Sequence, residues 1–124
     1  MREQVIPVLH VTDAEAALRW YERLGFEREF AHRFEPGLPL YVGIQWGNAR
    51  MHLSEHAGDA RPNTLVYVWV DDVDAIAAQF DTSVSTQPWG REIEITDPDG
   101  NRLRIGQAPT PEDQRANEAA AQRG

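Results

Sequence analysis

The stretch that most constrains the fold runs from Thr86 to Ile105, TQPWGREIEITDPDGNRLRI. From Glu92 to Thr96, acidic or polar residues alternate with Ile93 and Ile95, the period of a strand with one buried face. Leu103 and Ile105 alternate with Arg102 and Arg104 in the same way. Between them, Asp97-Pro98-Asp99-Gly100-Asn101 is turn chemistry. Pro98 presets φ, Gly100 tolerates a positive φ, and the Asp and Asn side chains can bond nearby backbone N–H groups. The pattern predicts a β-hairpin, with Pro88-Trp89-Gly90 as a loop that sets a tryptophan at the mouth of its first strand.

The rest of the chain supplies the same kind of signal. Gln4 to Val11 is short, apolar and β-branched, and reads as a strand. Thr12 or Asp13 caps a helix to about Leu24, with Ala16, Ala17, Trp20, Tyr21 and Leu24 at helical spacing and Gly25 as its stop. Strands follow over Phe26–Phe34, Leu38–Trp46 and Ala49–Ser54, the last two joined by Gly47-Asn48. Glu55 to Asn63 is a polar loop. Beyond it, TLVYVWV is the most strand-like segment, Asp71-Asp72 caps a helix over Val73–Phe80, and Ser83–Ser85 reads as a short strand before the hairpin. The order βαβββ therefore occurs twice, over about 4–54 and 64–107, within one domain spanning 1–124. Each half alone leaves a sheet face uncovered, so the expected architecture is α+β: two modules forming a curled mixed sheet with a cleft. Residues 108–124 start as a helix should, with Thr110 as cap, Pro111 in the first position and acids in the first turn. Their apolar content is mostly alanine, which implies a short surface helix or a frayed tail.

Composition narrows the function. A formal net charge of −8 disfavours nucleic acid and suits a cationic small molecule. No run approaches the roughly 18 apolar residues of a membrane span, and MREQVIPVLH lacks a signal pattern, so the expected compartment is the cytoplasm. The absence of cysteine removes disulfides, thiolate metal sites and a Cys nucleophile. Neither a nucleophile elbow nor a P-loop is present. On TLVYVWV, Leu65, Tyr67 and Trp69 share one face and the valines the other, so the valine face is expected in the core and the aromatic face on the concave side. Trp89 lies where no core periodicity demands it and offers a flat stacking surface.

DPDGN and the QPWGRE before it resemble the C-terminal hairpin of the vicinal-oxygen-chelate superfamily, which includes glyoxalase I, extradiol dioxygenases and fosfomycin- and bleomycin-resistance proteins. QPWGRE resembles the bleomycin-resistance branch more narrowly. IPVLHVTDAEAALRWYERLGF is similar to the family's first strand and helix, and NTLVYVWVDDVD to the fifth strand of that branch. The resemblance covers about residues 4–107. It implies a homodimer with clefts between subunits, which binds and sequesters a planar cationic antibiotic of the bleomycin type without modifying it and needs no cofactor. Carried over by position, its ligand-binding residues are Trp89, Tyr67, Phe34 and Asn63, with the strand aromatics Trp46 and Trp69 as further candidates. The segment DTSVST looks shorter than in that branch.

The superfamily's enzymes hold a divalent metal with His and Glu side chains. The matching positions here are Ile6, Leu65 and Arg104. Ile and Leu have no donor atom, and Arg stays protonated. A relocated metal site is the alternative, drawn from His10, His52 and Glu92, and it would make the protein a glyoxalase-like lyase, transferase or dioxygenase. A third reading is a structural domain without a ligand.

Overall fold

Two β-α-β-β-β runs follow one another along the chain, as the periodicity predicts. The computed structural model describes residues 3–113 together with Arg115, Glu118 and Ala119. The first run is β1 (Val8–His10), α1 (Ala14–Glu22), β2 (Glu27–His32), β3 (Tyr41–Trp46) and β4 (Ala49–Ser54). The second is β5 (Leu65–Trp69), α2 (Val73–Gln79), β6 (Ser85–Gln87), β7 (Gly90–Thr96) and β8 (Arg102–Gln107). Each run builds one four-stranded sheet, in the orders β1-β4-β3-β2 and β5-β8-β7-β6. The two orders match element for element, with the first strand of each run beside the last. In the first sheet β1 is parallel to β4, while β2, β3 and β4 are antiparallel neighbours. The sheet is therefore mixed, as expected.

By contacts the chain gathers into two compact units, Met1–Val66 with Thr96–Leu103 and Tyr67–Ile95 with Arg104–Gly124. In the first unit, Asp13 caps α1 by accepting from the N–H groups of Glu15 and Ala16, and the Glu55 carboxylate takes that of Ala14. Together they satisfy donors that a helix start leaves without partners. Ala14, Ala17 and Tyr21, on one face of α1, are buried, as are Leu9, Val42, Ile44, Met51 and Leu53 on one face of the sheet. Tyr21, Phe26 and Trp46 meet edge to face, with ring centroids 5.8 and 5.5 Å apart.

The DPDGN turn belongs to this unit and is its hydrogen-bond hub. Asp97 Oδ1 accepts from the N–H of Asp99 and of Asn101, and its Oδ2 accepts from the Tyr21 hydroxyl at 2.8 Å and from Asn101 Nδ2. Asn101 also donates to the His10 carbonyl and accepts from the Thr64 N–H. Asp99 takes the N–H and the hydroxyl of Thr12. Asp97 and Asn101 are buried, so their polar atoms need these partners. Burial first, then the Asp97 charge, pushes the Tyr21 hydroxyl far above the ordinary tyrosine range. The turn thus does more than reverse the chain: it ties the ends of β1 and α1 to the start of β5.

In the second unit, Val68, Ile93, Ile95 and Ile105 are buried on their strands and Val73, Ile76 and Ala77 on α2. Asp72 caps α2 through the Ala75 N–H, Gln107 takes the Val73 N–H, and Arg91 grips Asp74 with two bonds of 2.7 and 2.8 Å.

Several elements differ from expectation, β3 for one starting at Tyr41 rather than Leu38. β1 is three residues rather than the full Gln4–Val11, because Pro7 has no N–H to extend the ladder; its carbonyl still accepts from His52. β2 ends at His32, leaving Phe34 in a bend. The short strand lies at Ser85–Gln87, pairing Gln87 with Gly90, so the loop around Trp89 tightens to a two-residue turn, Pro88-Trp89. At the C-terminal end, Thr110 and Asp113 exchange side-chain bonds with each other's N–H, a reciprocal cap on the helical residues 111–113. Gln114, Ala116, Asn117 and 120–124 of the expected tail lie outside the described residues. No described helix is long and apolar enough to cross a membrane.

Candidate functional site

Period-two alternation sorts the second sheet into two faces. With the valines of β5 and the isoleucines of β7 and β8 turned inward, the other face carries Leu65, Tyr67 and Trp69 from β5, Arg104 and Gly106 from β8, Glu92 and Glu94 from β7, and Ser85 and Gln87 from β6. Ser85 stands opposite Glu92 and Gln87 opposite Gly90, so β6 and β7 present one continuous surface. Tyr67 and Trp69 are 37% and 56% exposed, and Trp89 is 51% exposed at the adjoining turn. Large aromatics half in water on a sheet face contribute little to a core, whereas a stacking ligand would cover them.

Glu92 organises this surface. It is 8% exposed, and its Oε2 accepts from the Tyr67 hydroxyl at 2.7 Å and from the Trp89 indole Nε1 at 3.0 Å. Two neutral donors on one carboxylate oxygen fix both aromatic groups without cancelling the charge. Partial burial, then the bond to Glu92 and its charge, pushes the Tyr67 hydroxyl up to about 12, against smaller lowering effects from Trp89 and Arg104. The phenol is therefore a donor across the neutral range. Tyr67 and Trp69 are tilted rings 4.8 Å apart. The Tyr67 ring lies over Gly106, and a Cβ there would collide with its hydroxyl. Only glycine permits this approach. Trp89, Glu92, Glu94, Arg104, Ser85 and Gln87 line a groove of about 470 Å³. Its one aromatic lining residue, Trp89, stands beside an anion, a pairing that attracts a flat cation by stacking, cation–π and Coulomb terms.

The first unit has its own open face. Phe30 lies over Gly43, its register partner, and is stacked on Tyr41 with centroids 6.2 Å apart. The Tyr41 hydroxyl and His52 Nδ1 share a 2.8 Å hydrogen bond. Phe30, His32, Phe34, Tyr41, His56 and Asp59 line a groove of about 430 Å³. Asp59 accepts from the Ser54 hydroxyl at 2.6 Å. Burial, then the Asp59 charge, raises the Tyr41 hydroxyl above its ordinary value.

Of the residues singled out from sequence, the structure brings Trp89, Tyr67 and Trp69 to one surface and adds Glu92 as their shared partner. Phe34, 74% exposed, stands edge-on to His32 in the first unit's groove. Trp46 packs on Phe26 and against Gly25, with the core parity of Val42 and Ile44. Asn63 adopts a positive φ of 66° and sets its Oδ1 over Gly100 of the DPDGN turn. Sequence reasoning treated Glu92 only as a metal ligand and missed Phe30, Tyr41, His32, His56 and Asp59 as a group. The readable signal was parity, since Phe30 and His32 share one face of their strand.

The divalent metal of the superfamily's enzymes does not fit the corresponding positions. Ile6 and Leu65 offer no donor atom, and the Arg104 guanidinium is ion-paired to Glu94 at 3.0 Å. Of the alternative set, His52 is bonded to Tyr41, Glu92 holds Tyr67 and Trp89, and His10 has a buried Nδ1 without a hydrogen-bond partner among the described residues. Among those residues, no three His, Asp or Glu side chains gather as metal ligands would.

Comparison with known proteins agrees with this topology. Residues 1–111 match the family described as glyoxalase superfamily protein. No curated protein matches the sequence. Among solved structures, the bleomycin-binding protein from bleomycin-producing Streptomyces verticillus, complexed with copper(II)-bleomycin, is 29% identical. The alignment covers 88% of this chain and 100% of that one, with a TM-score of 0.65. A glyoxylase/bleomycin resistance protein/dioxygenase domain from Frankia sp. EAN1pec is 18% identical over 94% of this chain and 98% of its own, with a TM-score of 0.73. The fosfomycin resistance protein FosX from Listeria monocytogenes is 15% identical over 92% and 98%, with a TM-score of 0.69. The last two likenesses are likenesses of fold alone.

Proposed function

The chain belongs to the glyoxalase superfamily, and from that premise we propose that it is a non-catalytic binding protein that sequesters a planar cationic small molecule, an antibiotic of the bleomycin type being the leading candidate. One observation carries the reading. A buried carboxylate, Glu92, holds Tyr67 and Trp89 as neutral donors on an open aromatic face, which suits a flat cation. The likeness to a protein complexed with copper(II)-bleomycin supports that ligand class. The misfit at the family's metal positions favours binding over turnover. Sequestration then follows mass action, with protection scaling as protein concentration over Kd.

A homodimer is part of the proposal, since either groove alone is open on one side. Light scattering at micromolar concentration tests it, and a monomer there counts against paired grooves. The ligand test is a tryptophan-fluorescence titration with metal-free and Cu(II)-loaded bleomycin, wild type beside Trp89→Ala. Saturable quenching that the variant loses is the expected result. An absent response from folded protein removes bleomycin as the ligand, and chemical change of the drug removes the non-catalytic reading.

A further inference from the structure

The groove that holds Glu92 also holds a cation, and a receptor for a bare cation has no use for one. Arg104 on β8 lines the groove with Trp89, Glu92 and Glu94. It stands two residues before Gly106, hence on the face over which Tyr67 lies. Its charge is felt at the Tyr67 hydroxyl, where it opposes the effect of Glu92. Among the described residues its guanidinium is engaged through Nε alone, at 3.0 Å from Glu94 Oε1. The outer edge, with Nη1 and Nη2, is the part of the fork that matches a carboxylate, phosphate or sulfonate in a bidentate pair. Glu92 is arranged in the complementary way: both of its aromatic donors sit on Oε2, leaving Oε1 out of those bonds.

We infer that Arg104 is a specificity-determining residue of this groove, and that the preferred ligand is zwitterionic: a planar cation that stacks on Trp89 near Glu92 and carries an oxyanion group for the Arg104 fork. This rests on the reading of the groove as a planar-cation site and narrows its ligand class, ranking a planar zwitterion above a purely cationic drug of the bleomycin type. The groove contains two acids and one base, so a bare cation gains from Glu92 and is repelled by Arg104. A ligand with both charges gains at each end, and the Glu94 pair holds the Arg104 stem in place while its outer edge accepts the anion. The competing account is that Arg104 is only half of an exposed ion pair with Glu94 and indifferent to ligands.

Two dyes separate these accounts. Rhodamine 6G and its free acid, rhodamine 19, share one planar xanthylium cation and differ in an ester against a carboxylate. Fluorescence anisotropy titrations with both, on the full chain, give the affinity ratio directly. Wild type is expected to prefer rhodamine 19 by about tenfold, the scale of one charge-assisted bidentate contact. Arg104→Gln is expected to abolish the preference while still binding rhodamine 6G. Arg104→Lys, which keeps the charge without the fork, is expected to retain only part of it and serves if the Gln variant fails to fold. Equal wild-type affinity for the two dyes, or a preference that survives Arg104→Gln, overturns this inference alone. Binding of neither dye overturns the planar-cation reading and this inference with it.

Discussion

The two open sheet faces use one device for two chemistries. In each, an aromatic ring from one strand lies over a glycine of the next: Phe30 over Gly43 in the first unit, Tyr67 over Gly106 in the second. The glycine sets where the ring goes, because any Cβ would occupy the same space. What surrounds the ring sets what it can do. Phe30 has no polar atom, and its neighbours Tyr41 and His52 bond to each other. The first face is therefore an aromatic floor whose overlying ring bonds to no charge, although Asp59 lines the same groove. Tyr67 carries a hydroxyl, and it shares with Trp89 a carboxylate that is 8% exposed. The second face bonds a charge directly to its aromatic donors. Ring placement and charge placement are thus separable properties, and substitutions can test them one at a time.

The largest effects are expected at the glycines. Gly43→Val and Gly106→Val each force an overlying ring off its site, and each is expected to cost about 1–3 kcal/mol in urea unfolding. The pair discriminates by function: only Gly106→Val is expected to impair binding of rhodamine 6G at the second face. Equal loss of binding from both would erase the distinction drawn between the faces. Next comes the charge. Glu92→Gln keeps the shape and removes the anion, and is expected to weaken rhodamine 6G binding by roughly tenfold to thirtyfold, the range of an interface hot spot. Unchanged affinity would mean that stacking alone holds the cation. A smaller effect is expected from Tyr41→Phe, which breaks the bond to His52 and should cost about 1 kcal/mol in stability without altering dye affinity.

The smallest effect is a titration. The Tyr67 hydroxyl is raised from 10.0 to about 12 by partial burial and then by Glu92. For an acid whose pKa is higher in the folded state, the linked stability is fully present below pH 10 and is lost as pH rises from 10 to 12. Wild type is expected to lose stability over that window more steeply than Tyr67→Phe in urea-unfolding midpoints. Phenolate absorbance should show one tyrosine moving back toward 10 in Glu92→Gln, and a titration curve unchanged by that substitution would deny Glu92 its electrostatic hold on Tyr67.

Much of this was legible in the sequence because it depends on local rules. The alternation in TLVYVWV put Tyr67 and Trp69 on one face and Val68 in the core, and that is where they lie. Asp13 and Asp72 cap their helices because a short acidic side chain reaches the first free N–H groups whatever follows. Trp46 shows the opposite case. As a strand aromatic it was a reasonable binding candidate, yet its parity matches Val42 and Ile44, and it packs on Phe26. Glu92 was readable as an acid on the correct face, but not as the acceptor for Tyr67, 25 residues away.

The sequence by itself determined the order of the elements, the inward and outward faces of β5, β7 and β8, and the loop position of Trp89. All three follow from periods of two or 3.6 residues and from turn chemistry, which act over a few neighbouring residues. Only the tertiary structure decided which outward residues meet. It placed the DPDGN turn in the first unit, where Asp97 and Asn101 bind Tyr21, His10 and Thr64. It also gave Tyr67 and Trp89 one carboxylate to share and stood Arg104 beside it. Those meetings depend on strand order and register, which are fixed by how whole sheets bury their apolar faces.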